Sequence, residues 1–498
     1  MNDATPGTAF STERVPRAVF LRLFSGIMLP MFLAAVDGTI VAAALPEIAA
    51  TLGHVERISW VVAGYLIAAT IAAPVSGRLG DAYGRRGMLI AAIVMFATAS
   101  LACALSVSTW MLIAMRVLQG LGGGAMMTQS QALIGETVPP RQRGRFQGWM
   151  ATVFLCSSTI GPVLGGILTH HLGWQSVFLV NLPFCALAIA LALRLNARPG
   201  TARGFRFDWL GAALFAICVI AFMMALDQVR RFDVAAILPA MGLAALTVAC
   251  AWVLVKHEWR APSPLLAMQL LSRPAVWRPN ILAICVGGVL VGMVSFVPLW
   301  LTAVRGVAPD NVGFVLAALT VGLPIGALIT GTLVTRTGYT MRWPSFGMPI
   351  TTAFALGIAL FADHIPTQWL PLPFLLLAVS MGTGMTAVQI TVQTAAGPVL
   401  LGSAAASVQF CRSIGAAAGT AIVGTVLFAA MTARDPAVTE LFRRLVNEGP
   451  TVLALLPADQ QTALSEGVDG AFRAAFGTVA VFAAIGTLMA WTAPLRRV

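Results

Sequence analysis

A chain of 498 residues that is 58% hydrophobic and only 10% charged cannot fold in water, where a protein of this size carries roughly 25% charged residues. The bilayer is its solvent. Its net charge of +12 is distributed through short loops between apolar stretches, which reads as membrane topology and excludes the one-sided basic face of a nucleic-acid binder.

Apolar stretches of about 20 residues, each enough for a ~30 Å hydrocarbon core, recur along the whole chain. The reading is an all-α integral membrane protein with fourteen spans, near 23–46, 58–77, 88–108, 110–134, 146–169, 174–193, 209–226, 234–255, 279–304, 312–335, 343–362, 369–397, 403–431 and 474–493. The first span has no small-residue cleavage site and is expected to be a retained helix. Placing both termini in the cytoplasm puts the clusters Arg85/Arg86, Arg141/Arg143/Arg145 and Arg496/Arg497 on the positive-inside face. The spans group as six, two and six. The expected units are a six-helix bundle over 1–205, two additional transmembrane helices over 206–277, and a second six-helix bundle over 278–498.

In the first span, LAAVDGTIVAAALP (33–46), Asp37 is the sole charge between Leu23 and Pro46. A carboxylate inside a span is costly and marks a functional site by default. Burial and a nearby cation act on such a group in opposite senses, so it is a candidate for binding and releasing a proton. A structural aspartate bonded to Thr39 or to a neighbouring helix is the other reading.

After the second span comes GRLGDAYGRRGML (77–89). Its glycines allow a tight turn and close helix approach. Asp81 is an acid at a span end where basic residues dominate, and its natural partners are helix N-termini and arginines. A weak echo, GTLVTRTGYTMRW (331–343), follows the tenth span. One offset carries Gly77 and Gly84 onto Gly331 and Gly338, and Gly161 and Gly165 onto Gly415 and Gly419. This favours a duplicated six-span unit.

The fourth span, LIAMRVLQGLGGGAMM (112–127), holds Arg116 about five residues inside an apolar helix. Snorkelling to headgroups is the alternative. The fifth, SSTIGPVLGG (157–166), holds Pro162, which removes a backbone donor, and Gly161, Gly165 and Gly166, whose spacing offers a packing groove. The seven cysteines fall inside spans without CxxC spacing, so no disulfide or metal site is expected. No GxxxxGK[ST] loop and no HExxH or Ser/His/Asp set is present, so neither an enzyme nor an ATP-driven pump is expected, and no cofactor. The segment 432–473, with Gly449, Pro450 and Pro457 breaking it, reads as a partly helical external loop or a docking site for a periplasmic adaptor.

Taken together, the 77–89 loop, the Arg116/Gln119/Gly120 pattern and the glycine–proline pattern of span five resemble the motifs of the major facilitator superfamily. VDGTIVAAALPEIA (36–49), GWQSVFLVNLP (173–183), FDWLG (207–211) and SVQFCRSIGAAAG (407–419) resemble its fourteen-span drug:proton antiporters. Ala42 departs from that pattern, standing where many members carry Asn. The resemblance implies two six-helix bundles rocking about a central site, with export of amphipathic small molecules from the bacterial cytoplasm in exchange for protons. It implies proton coupling at Asp37, Arg116 and Arg412, a conformational latch at Gly77, Asp81, Gly84, Arg85 and Arg86, and an antiporter motif at Gly161, Pro162, Gly165 and Gly166. Spans nine to fourteen contain no Asp or Glu, which argues against dicationic substrates. Helix position suggests Gln119, Met126, Met127, Phe296, Trp300, Met381 and Met385 as cavity walls, with core or lipid-facing packing as the alternative for each. A dedicated exporter or importer of one metabolite, and a non-transporting membrane sensor, are the rival readings.

Overall fold

The computed structural model describes residues 17–53, 57–198, 200, 205–230, 234–307, 309–448 and 458–497. Among them the regular structure is helical, apart from one isolated bridge between Tyr339 and Arg497. Helix satisfies every backbone group within the segment, as lipid requires when it offers no hydrogen bonds to a free backbone.

A first group of helices comprises α1 (Arg17–Leu52), α2 (Ser59–Tyr83), α3 (Arg85–Ala104), α4 (Thr109–Thr137), α5 (Arg143–Leu172), and the short α6 (Ser176–Leu179) and α7 (Asn181–Ala192). A pair follows, α8 (Trp209–Arg230) and α9 (Val234–Glu258), then the single turn α10 (Met268–Leu271). A second group comprises α11 (Pro274–Ala303), α12 (Pro309–Thr337), α13 (Arg342–Phe361), α14 (Pro371–Ala396), α15 (Leu401–Arg434), α16 (Pro436–Glu448) and α17 (Ala458–Thr492).

Twelve described helices are long and apolar enough to cross a membrane, so this is a multi-pass membrane protein. Two of the fourteen expected spans fall outside that set. α4 is diluted by Arg116, by a glycine run and by the buried Gln119, Gln129 and Gln131, and the helix over Ser176–Ala192 is short. Length and composition by themselves therefore support twelve. In the segment 432–473, α16 turns Val438 and Phe442 inward, and Phe442 meets Phe428 and Phe472 edge-to-face with ring centroids 5.7 and 6.0 Å apart. The breaks read at Gly449, Pro450 and Pro457 lie outside the described residues.

Within the first group α4 packs on α2 and α3, and α5 on α1. Within the second, α12 packs on α14 and α15 on α11. The groups meet where α2 lies along α15 and α5 lies along α12. α8 and α9 pack chiefly on each other, with α8 also touching α2 and α15.

The matched glycines occupy corresponding positions in the two groups. Gly77 abuts the backbone of Gly402, and Gly331 abuts that of Gly144, one contact at each seam between the groups. Gly161 and Gly165 pack on α1 at Thr39 and Ile40. Gly415 and Gly419 pack on α11 at Ile284 and Gly288. Gly84 and Gly338 both turn with positive φ, 100° and 72°. Small residues recur at these crossings because helices in lipid associate by close backbone packing.

Candidate functional site

The first charged cluster lies wholly inside the first helix group. Asp37, Arg116 and Gln119 are each 0% exposed. Arg116 Nη1 donates to Asp37 Oδ2 at 2.5 Å and to Gln119 Oε1 at 2.7 Å. The other carboxylate oxygen, Oδ1, accepts from Gln119 Nε2 at 2.9 Å and from Asn181 Nδ2 at 3.1 Å. Gln119 Nε2 also reaches Ser100 Oγ at 2.7 Å. Arg116 Nε donates to the Val61 carbonyl at 3.1 Å, and the guanidinium lies 4.3 Å over the Tyr65 ring. Five helices, α1, α2, α3, α4 and α7, thus contribute to one cluster, and two of them, α4 and α7, donate to the carboxylate.

Such burial is tolerable only because the charges are paired and hydrogen-bonded. The satisfaction is incomplete, since Arg116 Nη2 is buried without a hydrogen-bond partner among the described residues. Thr39 and Ile40, just beyond Asp37, are clamped by α5. A Cβ on Gly161 would collide with Thr39 Oγ1, and one on Gly165 would meet the Ile40 carbonyl at 2.5 Å. Gly166, by contrast, faces open space, and Pro162 is exposed, so the groove is built from Gly161 and Gly165 alone.

The second cluster joins the two groups. Asp81, at the end of α2, accepts from Gly402 N at 2.8 Å, Ser403 N at 2.9 Å and Ser403 Oγ at 3.0 Å. The two backbone N–H groups belong to the first turn of α15, where they lack helical partners and carry the positive end of the helix dipole. Arg85 Nη2 donates to Asp81 at 2.7 Å and to the Pro398 carbonyl at 3.3 Å, and its Nη1 donates to Glu136 at 2.5 Å. Gln393 Nε2 adds another bond across the seam, to the Gln131 carbonyl at 2.9 Å. Gly77 permits this approach, because a Cβ there would lie 2.6 Å from the Gly402 oxygen. Arg86 departs from the expected set. It donates to the Leu193 carbonyl at 2.7 Å and so braces its own helix group.

Between the groups lies a narrow cavity whose walls include Gln131, Gln147, Phe154, Met385, Gln389 and Arg412. Gln147 Nε2 donates to Gln131 Oε1 at 2.7 Å. Arg412 donates to Gln409 and lies 5.6 Å from the Phe154 ring.

Two expectations are corrected by this geometry. Arg412 is not with Asp37 and Arg116: the partners of Asp37 come from the first helix group, whereas Arg412 projects from α15 into the cavity. Of the expected cavity walls, only Met385 lines it. Met126 is buried in the first core with Met127 packed against it, Phe296, Trp300 and Met381 fill the second core, and Gln119 is enclosed beside Asp37. Large apolar side chains gain most from the bundle cores, which leaves the amides to line the gap. Asn181 did not stand out in the sequence, although it lies within the 173–183 motif, and neither did the three cavity glutamines. The available signal was the presence of uncharged amides inside apolar spans, where polar side chains are expensive.

The chain matches the family model described as Major Facilitator Superfamily over residues 27–420. It is 32% identical over 406 residues to an uncharacterized MFS-type transporter of Mycobacterium tuberculosis, covering 81% of this chain and 59% of that protein. It thus spans less than two thirds of that relative's length. It is 28% identical over 405 residues to multidrug resistance protein 3 of Bacillus subtilis, covering 80% and 78%. Among solved structures, the human organic anion transporter MFSD10 shares its fold, with a TM-score of 0.63 at 14% identity and coverage of 96% and 100%.

Proposed function

The chain belongs to the Major Facilitator Superfamily, and we propose that it exports amphipathic small molecules across the bacterial cytoplasmic membrane in exchange for protons. The observation that carries this reading is the sealed Asp37–Arg116 pair, an ionisable couple that has no stabilising rationale of its own. The relatedness to a Bacillus subtilis protein named for multidrug resistance supports export.

Two helix groups, near residues 1–205 and 278–498, rock about the cavity between them, with α8 and α9 alongside. The end bearing Arg85 and Arg141 faces the cytoplasm. In that orientation the Asp81 cluster closes the inner side, and α16 lies on the outer side, where an adaptor would dock. Facing outward, Asp37 takes up a proton as Arg116 shifts away, and substrate leaves. The groups then separate at Asp81, the cavity opens inward, the proton departs, and the Asp37–Arg116 pair re-forms. Gly161 and Gly165 tie α5 to the stretch of α1 just past Asp37, so rocking is transmitted to the carboxylate. Each proton returning through ~100 mV supplies about 2.3 kcal/mol.

The test is substrate-induced proton release from energised inverted vesicles. Wild type releases protons on addition of substrate, while Asp37→Asn, present at comparable levels, does not. A wild-type response from Asp37→Asn vesicles would remove Asp37 from the coupling step.

A further inference from the structure

The export reading leaves the chemistry of the cargo open. Resting on that reading, we propose that the cavity between the helix groups selects amphipathic organic anions, with Arg412 receiving the acid group and Gln389 donating to it.

Among the described residues the cavity wall carries one formal charge, the guanidinium of Arg412, and no Asp or Glu. Among the described residues Arg412 has no carboxylate partner. Its contacts are the neutral Gln409 amide and the face of Phe154. Asp37, the membrane carboxylate that could otherwise neutralise a cationic cargo, is sealed behind Arg116, Gln119 and Asn181.

A second observation points the same way. Gln389 is 5% exposed and lines the cavity, and its Nε2 is buried with no hydrogen-bond partner among the described residues. A buried unpaired donor is costly and calls for an acceptor. A half-buried cation beside an unpaired amide donor suits a carboxylate, sulfonate or phenolate. A like charge at the same place would be repelled in a medium that screens poorly. Phe154, Met150 and Met385 supply apolar and polarisable surface for the rest of an amphipathic molecule.

The experiment uses tetraphenylborate and tetraphenylphosphonium, ions of matched shape and opposite charge. Equilibrium binding is measured on the full-length protein in lipid nanodiscs, corrected with empty nanodiscs. The wild type is expected to bind the borate at least about tenfold more tightly than the phosphonium. Arg412→Gln should abolish that preference and Arg412→Lys should keep most of it. Gln389→Leu should weaken binding of anilinonaphthalene sulfonate, whose sulfonate oxygens can accept from the amide, several-fold. It should leave binding of tetraphenylborate, which has no acceptor atom, near wild type. An undiminished sulfonate affinity in Gln389→Leu removes Gln389 from the site. Equal or tighter phosphonium binding by the wild type, or an undiminished preference in Arg412→Gln, overturns the proposal.

Cellular export separates the two failures. Protonophore-sensitive export of ethidium without export of anilinonaphthalene sulfonate overturns anion selectivity and leaves export standing. No energised export of either dye, with the binding preference intact, overturns the export reading and supports the anion site.

Discussion

Two Asp–Arg pairs sit at opposite extremes of mechanical freedom. Asp37 and Arg116 are enclosed by one helix group, and the hydrogen bonds to that carboxylate come from helices that pack together as a unit. Asp81 and Arg85 bridge two groups, and most of what Asp81 accepts comes from the first turn of a helix on the far side. The chemistry is the same but the dependence differs. The inner pair can rearrange by shifts of side chains within its own group, which is what the proposed exchange asks of it. The bridging pair can change only if the groups part. In the proposed cycle the first takes the proton and the second holds the conformation.

The largest effect separating them should come from Arg116→Met. It leaves a buried carboxylate without its cation, a change that typically costs about 3–5 kcal/mol. Thermal unfolding in detergent should show a large loss of stability, substantially recovered in the double variant with Asp37→Asn. An unchanged melting temperature in the single variant would break the comparison, because the inner pair would then not be sealed.

Asp81→Asn should behave in the opposite way. Stability should change little, but the balance between the two conformations should move by about 1–3 kcal/mol, the scale of typical conformational coupling. The readout is maleimide labelling of a cysteine placed at Gln131, a residue of the seam between the groups. Its labelling from the inner side should rise while transport slows. Unaltered labelling and transport would remove Asp81 from conformational control.

A smaller loss is expected at the clamp. Gly161→Leu forces side-chain atoms into Thr39 and should cost ~1–3 kcal/mol through overpacking, together with loss of export. Gly166→Leu meets open space and should retain both stability and export. Equal behaviour of the two would show that the α5–α1 contact does not reach Asp37. The smallest effect is assigned to Arg86→Gln, whose contact is a surface brace within one group. It should shift stability by less than about 0.5 kcal/mol and leave conformational balance unchanged.

Part of this contrast is legible in the sequence. The Asp81 loop announces an interface by placing an acid among basic residues at a span end, and the partner types expected for it, a helix N-terminus and an arginine, are those it meets. The glycine echo points to equivalent crossings in two groups. The inner cluster is legible only in part. Asp37 and Arg116 stand out as charges in apolar spans, but Asn181, lying 144 positions along the chain from Asp37, does not.

Sequence by itself determined the solvent, the helical class, the approximate place of each helix and the presence of ionisable groups at membrane depth. These follow from local quantities: the length of an apolar stretch and the cost of a charge within it. Tertiary structure alone decided which groups meet. It sealed Asp37 with Arg116 and turned Arg412 away from both. It also sent Met126, Trp300 and Met381 into cores and left glutamines around the cavity. The reason is rotational. A helix that is apolar nearly all round carries little periodic signal to say which face looks inward, and helices hundreds of residues apart choose their neighbours by close packing of small residues that sequence spacing does not encode.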